Sequence, residues 1–160
     1  EGGQLSAELV DLQDLALETV RSLTELAAGR NVTLTAVGTT APMTGVRRLL
    51  AETVYNLCEN AVKYNVPGGS VTVETGETAR DVTLTVRDTG IGIPAAEQSR
   101  VFERFYRVDK SHSRAIGGTG LGLSIVKHAV AYHHGAIHLE SEPGKGTVIT
   151  VTLPKERPAD

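Results

Sequence analysis

Residues 55–64 read Tyr55-Asn56-Leu57-Cys58-Glu59-Asn60-Ala61-Val62-Lys63-Tyr64, inside a segment from about Gly45 to Tyr64 whose apolar residues recur at helical spacing. At roughly 100° per residue, Leu50, Val54, Leu57, Cys58 and Ala61 share one side of that helix. Glu52, Asn56, Glu59, Asn60 and Lys63 form a stripe on the other. Asparagine is a poor helix former because its side chain competes for backbone hydrogen bonds, so two of them one turn apart need a reason. A solvated face is one reading. The other is a site, in which the carbonyls of Asn60 and Asn56 meet a hard cation and Lys63 meets a phosphate. Magnesium takes oxygen ligands and usually keeps waters and substrate phosphates, so one neutral Asn suffices as the protein's share. The helix alone does not choose between these readings.

The bulk composition narrows the classes. With 160 residues the chain has room for one domain and one core. A hydrophobic fraction of 40%, a charged fraction of 22% and a formal net charge of −3 are ordinary for a soluble globular protein and give no general reason to expect nucleic acid. Cys58 has no partner for an internal disulfide, which fits a reducing compartment. No apolar run reaches the roughly 18 residues of a membrane span, and no signal peptide opens the chain. The Glu-Gly-Gly start suggests an excised piece of a longer protein, whose membrane anchor would lie elsewhere.

Outward from the Asn-bearing helix, Ser6 to Ala28 carries leucines at spacings of mostly three and reads as a helix ending at Gly29. Asn31 to Val37 alternates, with Val32, Leu34 and Ala36 facing one way. The alternation returns at Val71 to Thr75, Val82 to Val86 and Val148 to Leu153. A sheet with one apolar and one Thr-rich face takes helices on one side only, and a third helix is expected from about Leu121 to His134. The fold class is therefore α+β, a two-layer sandwich. Some thirty residues between Asp88 and Thr119 lack regular pattern, and a connection of that length is usually functional or mobile.

Two glycine stretches lie at the ends of these elements. Asp88-Thr89-Gly90-Ile91-Gly92-Ile93-Pro94 follows a strand, where glycines allow a ligand close to the backbone and Asp88 is placed to accept from an amine such as that of adenine. Gly117-Gly118-Thr119-Gly120-Leu121-Gly122-Leu123 opens the third helix, where free N–H groups favour phosphate. A flexible hinge would also explain it. The P-loop pattern is absent, because Gly144-Lys145 is followed by Gly146, and Gly118, Gly120 and Gly122 do not meet the dinucleotide spacing.

Taken together, N-L-x-E-N-A-x-K-Y, D-T-G-I-G-I-P, F-E-R-F-Y-R, G-G-T-G-L-G-L-S-I-V-K and G-K-G-T, in that order over about Leu9 to Pro154, resemble the N, first glycine, F, second glycine and third glycine boxes of the catalytic, ATP-binding domain of bacterial sensor histidine kinases. The resemblance implies the Bergerat fold shared with gyrase, the heat-shock chaperone of this superfamily and MutL: a mixed sheet of about five strands, three helices behind it, and ATP under a mobile lid. It implies a catalytic domain over residues 1–154 and a tail over 155–160. It implies Asn60 as the magnesium ligand, Asn56 beside the phosphates, and Lys63 on a phosphate. Tyr64, Ile93 and Tyr106 would flank the nucleotide, Asp88 would hold the adenine amine, and Gly90 and Gly92 would allow close approach. Arg107 would reach the γ-phosphate, with Asn56, Lys63 and Arg107 as the catalytic set. Gly118, Thr119, Gly120, Leu121 and Gly122 would pass the phosphates to the third helix. Thr147 would support Asp88 through water, and Phe102 and Phe105 would anchor the lid. The lid segment Lys110 to Arg114, poor in apolar anchors, is expected to move without nucleotide.

In the hydrolysing branches of this superfamily a glutamate acts as base for water four residues before the magnesium-binding Asn; here that place holds Asn56, which suits a phosphoryl donor. Histidine kinases phosphorylate a histidine within a pattern like H-E-[LI]-[RK]-T-P. None of His112, His128, His133, His134 and His138 has that setting, and His133-His134 before Gly135 reads as a helix C-cap. The resemblance thus implies the donor half of a kinase. Its cofactors would be ATP and Mg²⁺, and its partner a separate helical dimerisation and phosphoacceptor domain, with a response regulator downstream. The isolated domain is expected to be monomeric, on the cytoplasmic side of a parent anchored in the bacterial inner membrane. Competing readings are an ATP-gated module, a docking domain without kinase activity, and a serine kinase of the anti-sigma type.

Overall fold

The computed structural model describes residues 6–103 and 122–156. In chain order they form β1 (Glu8–Asp11), α1 (Leu12–Ser22), α2 (Thr24–Gly29), β2 (Thr33–Gly38), β3 (Pro42–Gly45), α3 (Arg47–Lys63), β4 (Ser70–Glu77), β5 (Asp81–Asp88), a 3₁₀ turn (Ala95–Arg100), α4 (Gly122–Tyr132), β6 (Ala136–Glu142) and β7 (Gly146–Pro154).

The Val/Thr segments become the main sheet. It has five strands in the order β2-β4-β5-β7-β6, with β2 parallel to β4 and every other pair antiparallel. Alternation sends Val71, Val73, Val82, Leu84, Val86, Ile149, Val151 and Leu153 to the buried face, where α1, α3 and α4 cover them. The opposite face keeps its threonines, so this is the α+β, two-layer sandwich expected. The apolar side of α3 lies in that core: Leu50, Val54, Leu57, Cys58 and Ala61 are all buried. Burial pushes the Cys58 thiol up to about 12, which leaves it an unreactive core residue.

Several features of the fold go beyond the sequence expectation. Residues 8–11, read as helix, pair instead as β1 with β3 in a separate two-stranded sheet. The reason is Asp11, whose carboxylate accepts from Gln13 N at 2.9 Å and from Ala41 N at 2.8 Å, capping α1 while fixing the β3 approach. That first helix also breaks at Leu23 into α1 and α2. Strand β6 is an addition to the sequence reading: Ala136–Glu142 alternates in burial, but only Ile137 and Leu139 are large apolar residues in it and both are half-buried, a weak strand signal. At the other end, Lys155, assigned to the tail, is tied in: its N–H donates to Arg80 O, its carbonyl accepts from Thr44 N, and its ammonium meets Glu77 Oε1 at 2.7 Å.

The adjacent histidines do cap α4. His134 takes φ 60°, and Gly135 N donates back to Val130 O while His134 N donates to Ala131 O, the two bonds of a Schellman motif. His133 also reaches across the fold. Its ring is buried, with Nδ1 2.8 Å from Ala129 O and Nε2 accepting from Val46 N at 3.0 Å. Val46 is the N-cap of α3 and has no side-chain cap of its own. The imidazole thus ties the end of α4 to the start of the Asn-bearing helix.

Candidate functional site

Within the α3 stripe, Asn56 and Asn60 face the start of α4, while Glu52 stays in solvent paired with Arg48. Asn56 Nδ2 donates to Glu52 O one turn back at 2.7 Å, which turns Asn56 Oδ1 outward from the helix. A Cβ built at Gly122 would stand 3.2 Å from both Asn56 Oδ1 and Asn60 Nδ2, so the first residue of α4 has to be small for the two amides to approach it. The expected partners Asn56, Asn60 and Gly122 are therefore together. Lys63 lies one turn beyond, its ammonium 3.6 Å from Glu59 Oε2. Among the described residues no group of three or more His, Cys, Asp or Glu could hold a metal ion. A cation on this stripe would meet amide oxygens, which are hard donors of the kind magnesium accepts.

The α3 axis runs into the Asp88 loop. Tyr64, the C-cap residue, accepts from Ile91 N at 3.1 Å through its carbonyl. A Cβ at Gly90 would be driven onto Tyr64 O and lie 2.9 Å from Asp88 Oδ1. Gly92 has φ +75°, and a Cβ there would strike the carbonyl of Glu142. The glycines expected for ligand approach are thus also demanded by the chain's own backbone, which crowds them from two sides. Thr89 completes the join, its N–H donating to Ser70 O and its hydroxyl accepting from Ser70 N at 2.9 Å.

Asp88 sits at the centre of this loop. Its Oδ1 accepts from Gly90 N at 2.8 Å and from Thr147 N at 3.2 Å. Burial raises its carboxyl from the ordinary 3.8 to about 6, while those two N–H groups pull the other way. Desolvation wins over the hydrogen bonds. Thr147 reaches Asp88 directly through its backbone, where the sequence suggested a water.

Four residues of this neighbourhood went unassigned in the sequence. Ser141 Oγ accepts from Ile93 N at 2.8 Å, donates to Gly146 O at 3.0 Å and meets Thr147 Oγ1 at 2.7 Å. Gln98 Nε2 donates to Ile93 O at 2.9 Å and to Ser141 O at 3.0 Å, pinning the 3₁₀ turn to both. Asn65 Nδ2 donates to Ser70 O at 2.9 Å. Glu59 pairs with Lys63 and accepts from Tyr55 OH at 3.4 Å. Only Glu59 carried a signal, its place in the helical stripe; Ser141 and Gln98 act through contacts between segments far apart in the chain, and Asn65 also reaches Thr89 Oγ1, 24 residues on. Phe102 is half-buried beside the buried Val101. Phe105, Tyr106, Arg107, the Lys110 to Arg114 segment, Gly118, Thr119, Gly120 and Leu121 lie outside the described residues.

A helix of paired asparagines laid against a mixed sheet, with an Asp-and-glycine loop at the strand end and a glycine opening the next helix, defines an ATP-binding catalytic domain of the histidine kinase type. Residues 45–157 match the family described as Histidine kinase-, DNA gyrase B-, and HSP90-like ATPase, and the chain belongs to that family. It is 40% identical over 152 residues to the sensor-like histidine kinase SenX3 of Mycolicibacterium smegmatis, covering 92% of this chain and 39% of that protein. To the sensor histidine kinase WalK of Bacillus subtilis it is 46% identical over 114 residues, 69% of this chain and 19% of that one. The structure of the mycobacterial sensor histidine kinase MprB superposes with a TM-score of 0.81 at 30% identity, covering 96% of this chain and all of that one. The chain thus spans well under half the length of the curated relatives it matches. No described helix is long and apolar enough to cross a membrane.

Proposed function

We propose that this domain binds ATP with magnesium and donates the γ-phosphoryl group to a histidine on a separate helical dimerisation and phosphoacceptor domain. The observation that carries this reading is the convergence of Asn56, Asn60 and Gly122 along the C-terminal half of α3 with Asp88, Gly90 and Thr147 just beyond its C-terminal end. The first set suits a triphosphate and its cation; the second suits adenine. Asp88 Oδ2 takes neither of the two backbone bonds and is the atom that accepts from the 6-amine. Asn60 holds the cation through its amide oxygen, and Lys63 leaves Glu59 for a phosphate. Magnesium, when bound, neutralises phosphate charge.

Asn56 decides the direction of the chemistry. Its amide has no basic atom to take a proton from water, and its Nδ2 is spent on Glu52 O. Phosphoryl transfer therefore waits for an imidazole nitrogen, which bonds to the γ-phosphorus as the bond to the β,γ-bridging oxygen breaks and ADP leaves. Arg107 supplies positive charge to the transferring group. The acceptor domain, the downstream response regulator and a membrane-anchored parent follow from the same reading, as does a monomeric state for this piece.

Titration calorimetry with MgATP on the wild type and Asn60→Ala, followed by mixing with the acceptor domain and labelled ATP, tests it. Binding that loses its magnesium dependence in Asn60→Ala, with label reaching the acceptor histidine, is the expected result. Absence of binding up to millimolar ATP, or rapid hydrolysis with no transfer, overturns it.

A further inference from the structure

Hydrogen counting at the β6–β7 hairpin assigns a direction to a buried proton. Ser141 has one hydroxyl hydrogen. The Gly146 carbonyl, 3.0 Å away, carries none, so Ser141 is the donor in that bond. Ile93 N–H donates to the same Oγ at 2.8 Å, so one lone pair of Ser141 is filled. The contact with Thr147 Oγ1 at 2.7 Å is then donated by Thr147 into the remaining lone pair. With its only hydrogen turned toward Ser141, the Thr147 hydroxyl presents nothing but lone pairs on its other side.

That side concerns Asp88. Thr147 is the direct cross-strand neighbour of Asp88 in the β5–β7 ladder, so the two side chains stand on one face, and Thr147 N donates to Asp88 Oδ1 at 3.2 Å. We propose that Ser141 is a positioning residue for base selection, holding the Thr147 hydroxyl as a second acceptor beside the Asp88 carboxylate. This rests on the reading of Asp88 as the adenine contact. Two neighbouring acceptors, direct or through one water, favour a base that offers an amine and disfavour one that offers a carbonyl at the same place. Adenine has the amine and guanine the carbonyl. Gln98 supports the arrangement: its amide N–H groups bracket Ile93 O and Ser141 O, which keeps Ile93 N–H on Ser141 Oγ.

Removing the Ser141 hydroxyl frees the Thr147 hydrogen to rotate and donate to a guanine carbonyl. The experiment measures dissociation constants of MgATP and MgGTP by calorimetry for the wild type, Ser141→Ala, Ser141→Thr and Thr147→Val, with denaturation curves for each. A fall of about three- to tenfold in the adenine-to-guanine preference of Ser141→Ala, the worth of one neutral hydrogen bond, is expected. Ser141→Thr restores the preference, and in a Thr147→Val background Ser141→Ala lowers it no further. Where the alanine variant does not fold, Ser141→Cys keeps the size and weakens the donor, and lowers the same ratio. An unchanged ratio, or equal loss of both nucleotides as for a merely structural residue, overturns the proposal while leaving the adenine site standing. A wild type with no preference for adenine removes the site reading itself, and this proposal with it.

Discussion

Replacing Asp88 by Asn should make the nucleotide-free domain more stable and useless. Burial raises the Asp88 carboxyl from 3.8 to about 6, so the folded chain binds that proton more tightly than the unfolded one. At 1.36 kcal/mol for each tenfold change in proton affinity, the ionised carboxylate costs the fold about 3 kcal/mol above pH 6. Solvent reaching this half-buried group trims the cost to about 1–2 kcal/mol. Because the folded state holds more protons between about pH 4 and pH 6, stability from this group falls as pH rises through that window and is lowest above it. Asn keeps an oxygen for the Gly90 and Thr147 N–H groups and has no charge to desolvate. Thermal unfolding of the apo protein should therefore put Asp88→Asn about 3–6 °C above wild type at pH 7.5, with the gap closing near pH 4. Calorimetry at pH 7.5 should show adenine nucleotide binding lost in the same variant, and in the wild type weakening as pH drops below about 6 and the acceptor is protonated. A variant no more stable than wild type at pH 7.5, or a gap that does not shrink toward pH 4, would refute the desolvation argument. A desolvation cost of this kind, carried by the empty fold, fits the proposed role of Asp88 as the adenine contact.

Other substitutions probe the supports. Gly92→Ala must place a Cβ against the Glu142 carbonyl at φ +75°, and a loss of about 1–3 kcal/mol in urea unfolding is expected. His133→Ala strands the buried Val46 N–H at the start of α3 and leaves a cavity, for a loss of about 3 kcal/mol measured the same way. Lys63→Met removes a partly exposed pair with Glu59 worth less than about 0.5 kcal/mol to the fold. Its effect should instead appear as a roughly ten- to hundredfold weaker dissociation constant for ATP, with adenosine binding unchanged.

Much of this molecule was legible before any coordinates. The Val/Thr alternation specified the central strands and which face they bury, because a period of two commits every side chain to one side of a sheet. The helical spacing from Leu50 to Ala61 likewise placed the two asparagines opposite the core, and the Asp88 and Gly122 boxes marked the ends of elements where a ligand would sit. These are local signals, carried by neighbours in sequence. What the tertiary structure alone decided depends on partners far apart in the chain. The Asp11 carboxylate stops a leucine-rich run from being helix because Ala41 happens to reach it. His133 caps a helix that begins 87 positions earlier. Gly90 and Gly92 are required by Tyr64 and Glu142 as much as by any nucleotide, and the Ser141 hydroxyl takes its role from Ile93, Gly146 and Thr147 meeting at one oxygen. A hydrogen bond has a direction and a reach of about 3 Å, and sequence spacing encodes neither once the chain has turned back on itself.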